Sequence, residues 1–287
     1  MPLLPDLQAY QTWATTLDTH WLTLAEASQP DDAWLLRQTA YTGPSRRQTL
    51  ATLPLVGTSR IADLGCGVGA AVLELAQMLP LSIDGWDVHT ERLEQARARS
   101  ERDGLQDQVQ FCSGDVTHDR PAILYDGAIT RFVLQHLPNP SKVLRHWREH
   151  WIRPGGWLWI EDVDDGWTVE EPPLPPAWHT VLAAFRQAQA AYGGNRYLGR
   201  TLPATLTASG WTLSQIQLQP QAFWGVQTWS DRSVQFEVAR VASLYEAMRE
   251  QGLSDADYQR GLQALQAHYP QTVFVTNATI RILAHNP

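Results

Sequence analysis

The sequence has few cysteines and no long apolar run. Its 287 residues include only Cys66 and Cys112, each inside a segment predicted to be buried, so a disulfide framework is not expected. No apolar run approaches the roughly 18 residues of a membrane-spanning helix, and the N-terminus lacks a basic region followed by an apolar stretch. We therefore expect no membrane partner, no secretory signal and a reducing, cytoplasmic location.

Positive charge is also scarce. The chain carries 22 Lys and Arg residues against 30 Asp and Glu residues, for a net charge of −8, and Lys142 is its only lysine. Nucleic-acid binding needs a basic surface that faces the phosphates, so we expect no nucleic-acid partner. The length and the 44% hydrophobic content allow one large α/β unit with helical additions.

Strands and helices alternate from residue 59 onward. The patterns predict strands at 60–64, 81–87, 109–112, 122–130 and 157–162. Helices are predicted between most of them, at 68–78, 90–102 and 141–151. This alternation predicts a doubly wound, mostly parallel sheet that is covered by helices on both faces.

The two ends of the chain differ from this central region. Residues 1–54 are predicted to form a helical lid, 55–220 the Rossmann-like core, 221–270 a helical insertion and 271–287 a final core strand. A strand in 211–220 and one in 273–284 would add an antiparallel edge, for seven strands in all. The aromatic stripe of Tyr10, Trp13, Trp21 and Trp34 is either core or a cap over the crevice, and we favour the cap.

Three alternating glycines occupy the joint between the first strand and its helix, in the stretch IADLGCGVGA, residues 61–70. Gly65, Gly67 and Gly69 allow the main chain to approach a ligand closely, and the following helix presents amides to a negative group. Asp87 ends the second predicted strand, where a carboxylate can accept both hydroxyls of a ribose. The pattern predicts an anionic nucleoside ligand; the alternatives are a plain tight turn and NAD, because GCGVGA fits G-x-G-x-x-A.

The motif DLGCGVG, with Asp63 before the first glycine, resembles the first motif of the class I S-adenosylmethionine-dependent methyltransferases. The segment CSGDV with Asp115 and the block 125–162 with its PGG turn also resemble that family, and the resemblance covers about 41–165. It implies S-adenosyl-L-methionine as cofactor and methylation of a small molecule at O, N or C. The cofactor-binding residues that it implies are Asp63, Gly65, Cys66, Gly67, Gly69, Asp87, Val88, Asp115, Val116 and Arg131. Arg46 and Arg47 would then face the cofactor carboxylate.

Methyl transfer needs an oriented nucleophile and, where the acceptor carries a proton, a base. His136, just beyond the fourth strand, is the candidate catalytic base, with a structural histidine as the equal alternative. No His or Cys pair has a metal-ligand spacing, so no metal is predicted. The acidic residues of segment 161–171 have three interpretations. They form a solvated loop, they bind magnesium, or they form a surface that attracts a cationic acceptor.

The sequence leaves the acceptor and the assembly open. We expect a small molecule, cationic or aromatic, and keep a homodimer as an alternative. Two other functions compete with methyl transfer. A NAD-dependent oxidoreductase would need a hydride-transfer site such as Tyr-x-x-x-Lys, which the lone Lys142 does not provide. The second competing function is that of a non-catalytic partner subunit that binds the cofactor.

Overall fold

The structure, a computed structural model, describes residues 7–28, 30–55 and 59–287. The first six residues of the predicted lid, Gln29, and residues 56–58 at the start of the predicted core lie outside the described residues. Within the described part of the chain, no helix has the length and apolar character that crossing a bilayer requires.

The first half of the chain forms three helices and then the alternating core. The N-terminal helices are α1 (Leu7–Ala27), α2 (Pro30–Tyr41) and α3 (Gly43–Leu50). The core elements are β1 (Arg60–Leu64), α4 (Ala70–Met78), β2 (Ser82–Asp87), α5 (Thr90–Arg102), β3 (Val109–Ser113), β4 (Tyr125–Arg131), α6 (Pro140–His150) and β5 (Ile152–Val163). Each predicted strand and helix of the core is present, with shifts mainly at the ends.

The second half departs further from expectation. Its elements are β6 (Val169–Glu171), α7 (Pro176–Ala191), α8 (Leu202–Ala208), β7 (Thr212–Gln227), α9 (Arg232–Ala242), α10 (Tyr245–Glu250), α11 (Asp255–His268) and β8 (Gln271–His285). The helical insertion contains three helices where two were predicted. β7 continues seven residues beyond 220, so the insertion begins after Gln227.

The strands form one sheet in the order β3-β2-β1-β4-β5-β8, with β6 and β7 both paired to β8. The first five are parallel, and β8 is antiparallel to β5. The doubly wound, mostly parallel sheet with an antiparallel edge is therefore confirmed, with eight strands instead of seven. The strand order reverses between β1 and β4, which opens a ligand crevice at their carboxyl ends.

The long antiparallel pair of β7 and β8 extends beyond the rest of the sheet. β8 pairs along its whole length with β7, while β5 and then β6 occupy its other side. Helices α7, α9, α10 and α11 pack against one another around a separate apolar cluster that includes Trp178, Phe185 and Met248. These helices form a lid, which we call the C-terminal lid, over the carboxyl edge of the sheet.

Buried ion pairs fix α3 to the core. Arg46 donates two hydrogen bonds to Glu74 of α4, at 2.7 and 2.8 Å, and both side chains are buried. Arg47 binds Asp18 of α1 at 2.8 Å and also Glu74 at 3.0 Å. The expectation that Arg46 and Arg47 face a cofactor carboxylate was therefore wrong, because both guanidinium groups are already held by carboxylates of the protein. Of the N-terminal helices, α2 is the one that reaches the crevice.

Candidate active site

The three glycines of the turn between β1 and α4 have different surroundings. All three have positive φ, at +81°, +56° and +75° for Gly65, Gly67 and Gly69. A Cβ on Gly65 would lie 2.5 Å from Val133, and one on Gly69 would lie 2.6 Å from Phe111. A Cβ on Gly67 would have Leu35, at 4.0 Å, as its nearest neighbour in the part of the chain that the structure describes. Gly65 and Gly69 are thus required by close packing, whereas Gly67 leaves an open face toward the crevice.

The amides of the turn are used inside the protein. Those of Gly65 and Cys66 donate to the carbonyl of Trp86 at 2.8 and 2.9 Å. That of Gly67 donates to Oδ2 of Asp87 at 2.8 Å. These three amides shape the turn, and none of the three is left for a ligand, whereas the missing side chain of Gly67 leaves room for one.

Asp87 and the residues after it form one wall of the crevice. Its second carboxylate oxygen accepts hydrogen bonds from the amide and from Nδ1 of His89, both at 2.9 Å. Val88 lies between them on the crevice wall and is exposed. A carboxylate accepts about four hydrogen bonds, so Asp87 keeps capacity for a ligand.

Asp115 and Val116 lie on the same wall, after β3. Asp115 accepts from the amide and the hydroxyl of Thr117 at 2.8 and 2.7 Å. Partial burial works to raise the pKa of Asp115, but these hydrogen bonds outweigh it and hold the pKa below its usual range. The carbonyl of Val116 accepts from the indole of Trp147 at 2.8 Å, which fixes this segment against α6.

Asp63 and Arg131 lie close to the glycine turn between β1 and α4. Asp63 is buried, and this burial, with the charge of Asp87, raises its pKa to about 7 against the opposing charge of Arg131. Arg131 lines the crevice and binds Glu161 of β5 at 2.6 Å. Glu161 also accepts from Arg281 of β8 at 2.8 Å, so two arginines share this one carboxylate.

A cavity of about 1260 Å³ continues from this wall to the C-terminal lid. It exceeds the roughly 300–1,000 Å³ of a site for one ligand, so it has room for a cofactor and an acceptor together. In its roof the ring of Phe236 on α9 lies 6.2 Å from that of Trp34 and 5.6 Å from that of Tyr41, both on α2. Trp34 therefore caps the crevice, while Trp21 is fully buried core, and each interpretation of the aromatic stripe holds for part of it.

His136 follows β4 in a short 3-10 turn, with its ring open to the cavity. The surrounding walls desolvate this ring, and with the charge of Arg196 they lower its pKa to about 4. His136 is consequently neutral at pH 7, and its ring has no hydrogen-bond partner among the described residues.

The acidic segment after β5 is neutralised by arginines. Asp164 accepts from the backbone amide and side chain of Arg200, at 2.9 and 2.8 Å. Asp165 binds both Arg196, at 2.7 Å, and Arg186, at 3.0 Å. A solvated acidic loop is therefore not what the structure shows, and these carboxylates do not face an incoming cation. In the part of the chain that the structure describes, no group of three or more His, Cys, Asp or Glu residues could hold a metal ion.

Two residues of the cavity wall were missed at the level of sequence. Gln189 of α7 and Arg196, in the turn after that helix, line the cavity close to the segment of His136. The GGNRYLG segment gave a weak signal for Arg196, because paired glycines after a helix indicate a constrained turn. No local pattern distinguishes Gln189 from the other glutamines of the chain.

Comparison with known proteins agrees with this geometry. Residues 61–156 match the family model described as Methyltransferase domain. The chain is 33% identical over 108 residues to methyltransferase GfsG of Streptomyces halstedii, covering 36% of this chain and 37% of that protein. It is 27% identical over 205 residues to trans-aconitate 2-methyltransferase of Streptomyces coelicolor, covering 68% and 67% of the two chains. The chain thus spans between about a third and two thirds of these relatives.

The similarity in fold covers more of the chain than the similarity in sequence. The solved structure of geranyl diphosphate methyltransferase in complex with S-adenosylmethionine superposes with a TM-score of 0.51 at 12% identity, covering 85% of each chain. At this identity the likeness establishes the fold. The motifs around Asp63 and Asp87 and the matching family model agree with this fold. Together they show that the chain carries a class I S-adenosylmethionine-dependent methyltransferase domain.

Proposed function

We propose that the protein transfers a methyl group from S-adenosyl-L-methionine to a small-molecule acceptor. The observation that carries this proposal is the pairing of Asp87, with free carboxylate capacity, and the open face of Gly67 on one wall of the cavity. This donor set fits the cofactor, because a carboxylate suits the ribose hydroxyls and the missing Cβ leaves room for the chain attached to them. When bound, the cofactor supplies a methyl group on a sulfonium, which is already an activated leaving group.

The residues of the cavity wall each bind a different part of the cofactor in this proposal. Asp87 accepts a hydrogen bond from a ribose hydroxyl, Val88 offers an apolar face, and Asp115 with Val116 binds the adenine edge. Arg131 stays against Glu161 and contributes positive charge. Asp63, Cys66 and Gly69 do not line the large cavity, and in this proposal they keep the turn in shape from behind.

His136 receives the proton that the acceptor loses. Its ring is neutral, open to the cavity and without a hydrogen-bond partner among the described residues, so it can accept a hydrogen bond. The roof made by Trp34, Tyr41 and Phe236 keeps water from the reacting groups. A pKa of about 4 makes this imidazole a weak base, which suits proton transfer that occurs only as the acceptor atom becomes positive.

The acceptor is proposed to be mainly apolar and ring-bearing. The lid side of the cavity is lined by large apolar side chains, among them Trp178, Leu182, Phe185, Leu265 and Tyr269. A cationic acceptor has less support, because the acids near His136 are paired with arginines. A cytoplasmic location and a homodimer stay predictions; the free thiols of Cys66 and Cys112 are consistent with the first.

Ligand-dependent thermal stability tests the choice of cofactor. S-adenosylhomocysteine at 100 times its Kd should stabilise the protein by about 2.7 kcal/mol, which a thermal scan detects as a higher Tm. NAD at the same concentration should have no effect. Stabilisation by NAD and not by S-adenosylhomocysteine would overturn the proposal. The comparisons match methyltransferases and lend the oxidoreductase no support.

A further inference from the structure

One face of the extension formed by β7 and β8 is apolar and exposed. Residues directly opposite each other in neighbouring strands share a face, so Trp224 of β7 lies beside Phe274 of β8. Trp224 is 72% exposed, and Val226, next on the same face, is 63% exposed. Exposed apolar side chains from β6, β7 and β8 define this surface, which we call the outer face: Val169, Ile216, Leu218, Trp224, Val226 and Phe274. Contiguous apolar patches of this kind mark interaction sites.

The opposite face of the same strands belongs to the cavity. Gln227 of β7 and Val273 and Val275 of β8 line the cavity, since side chains alternate between the two faces along a strand. The six side chains of the outer face do not line it. The outer face is therefore separate from the candidate active site, and its role does not depend on the proposed function.

The outer face has almost no charge. Segments 212–227 and 271–280 contain no Asp, Glu, Lys or Arg. Glu171, at the end of β6, brings a carboxylate to one corner of the face, opposite Phe274. A membrane surface or a nucleic acid would require basic side chains, which these segments lack. Two copies of the face can approach each other without like charges at their centres, although each chain has a net charge of −8.

The edges of the extension are protected against the addition of a further strand. β7 is an edge strand, and Pro220 in its middle has no amide hydrogen to offer to another strand. β6, on the other side of β8, has only three residues, and very short edge strands also resist addition. Stacking of one sheet on another requires an apolar face and no free edge. The extension therefore favours contact through its face.

The size of the outer face suits a dimer. From Ile216 to Val226, β7 extends about 34 Å at about 3.4 Å per residue, and strands about 4.8 Å apart make the face about 10–15 Å wide. The flat area is roughly 400–500 Å², and the side chains that stand on it present more surface than this projection. With the margins of the face, the area approaches the roughly 800 Å² that each partner buries in a standard interface.

We propose that the outer faces of two copies of this chain stack on each other about a two-fold axis and form a homodimer. Stacked sheets lie about 10 Å apart, so Leu218, Trp224 and Val226 of the two copies interdigitate. Each copy uses its face once, and assembly stops at two chains. The cavity wall on the other side of β8 is then supported from behind by the second copy.

The mass of the protein in solution tests this proposal. Light scattering during size exclusion should give twice the 32.2 kDa of one chain. The dimer should persist as salt is added, because apolar contacts are not screened. A monomer at concentrations up to about 100 µM, a mass that grows beyond two chains, or a dimer that salt dissociates would overturn the proposal. A monomer that sediments with phosphatidylcholine vesicles would assign the face to a lipid surface instead.

Charged substitutions locate the interface. Trp224→Lys removes the most exposed side chain of the face and places a charge there, so the dimer Kd should rise at least about tenfold. Leu218→Lys applies the same test farther along β7. Ile123→Lys is the matched control, because Ile123 is an apolar residue with 60% exposure that lies before β4 and outside the face. Its dimer Kd should equal that of the wild type. Wild-type dimerisation in both β7 variants would overturn the proposal.

Binding of S-adenosylhomocysteine separates the interface from the active site. The variants should bind it with the wild-type Kd, because the substituted side chains do not line the cavity. This result also shows that a monomeric variant is folded. Loss of the dimer only in variants that have also lost this binding would overturn the proposal, since dissociation would then follow from unfolding. A wild-type dimer that does not bind S-adenosylhomocysteine would overturn the proposed function and leave the interface in place.

Discussion

The carboxylate of Asp87 accepts a hydrogen bond from the amide of Gly67 across 2.8 Å. The acid at the end of β2 and the glycine turn after β1 therefore fix each other, and neither can be changed without moving the other. Oδ2 of Asp87 holds the turn, Oδ1 accepts two hydrogen bonds from His89, and Oδ2 keeps the capacity for one further hydrogen bond.

Substitution of this acid should weaken cofactor binding. Asp87→Asn retains the size of the side chain but loses its charge and one acceptor, worth about 1.5–3 kcal/mol for a charged hydrogen bond. Calorimetric titration with S-adenosylhomocysteine should show a Kd about 10- to 100-fold higher. Asp126→Asn is the control, since Asp126 pairs with Arg153 at the opposite end of the sheet. An unchanged Kd in Asp87→Asn would show that this carboxylate serves only the turn.

Gly67 should matter for binding more than for folding. Gly67→Ala and Gly104→Ala both place a Cβ at positive φ, +56° and +69°, and neither Cβ meets a close neighbour. Each should cost about 1–2 kcal/mol of conformational strain. Only Gly67→Ala should weaken S-adenosylhomocysteine binding, because its methyl group projects toward the cavity. Equal affinities of the two variants would contradict a role for Gly67 at the ligand.

Asp165 should stabilise the fold instead of attracting a cationic acceptor. Burial works to raise its pKa, but Arg196 and Arg186 outweigh this and hold the pKa below its usual range. Such a carboxylate contributes stability above its unfolded pKa near 4 and loses that contribution as the pH falls. Asp165→Asn should therefore lower the free energy of unfolding by about 1.5–3 kcal/mol at pH 7.

Urea unfolding at two pH values measures this contribution. The difference between wild type and Asp165→Asn should shrink as the pH is lowered toward 3, because the wild-type carboxylate is then protonated. Glu246→Gln removes an exposed pair with Arg249 and should change nothing measurable. A variant as stable as wild type at pH 7 would mean that the arginines find other partners.

Glu170 should destabilise the fold when it is ionised. Burial raises its pKa to about 7, and the nearby charge of Glu237 adds to this effect against that of Arg186. Because the folded pKa exceeds the unfolded value near 4.3, stability falls between about pH 4 and 7 and is level above that. Glu170→Gln should gain on the order of 2 kcal/mol at pH 8.

The neighbouring residue provides the control for this variant. Glu171 is exposed on the same short strand, β6, so Glu171→Gln should leave the free energy of unfolding unchanged at either pH. Near pH 4 the gain in free energy of unfolding from Glu170→Gln should disappear, since Glu170 is then largely protonated in both the folded and the unfolded wild type. A gain of the same size at pH 4 and pH 8 would contradict the assignment to ionisation.

The core was predictable because its signals are local. β1 and α5 have the predicted bounds, since apolar alternation and helical periodicity lie within the segments themselves. The glycine turn and Asp87 could be related through their spacing alone. β6 was missed because three residues are too few for a pattern. β7 was cut short at Pro220, although an edge strand tolerates a proline.

The pairing of charges could not be predicted. Arg281 binds Glu161, 120 positions earlier, and its guanidinium also donates to the hydroxyl of Ser45, 236 positions earlier. Nothing in the sequence around either position marks such a partner. For the same reason Asp164 and Asp165 looked like a free acidic loop.

The position of β8 has a consequence for synthesis of the protein. β8 follows every other element in the chain, yet it lies within the sheet, with β5 and β6 on one side and β7 on the other. About a hundred residues separate the end of β5, Val163, from the start of β8, Gln271. At 5–20 residues per second, a ribosome needs roughly 5–20 s to cover that stretch. For that interval the edge of β5 lacks its partner, so the nascent chain depends on its lid helices or on a chaperone to cover an open strand.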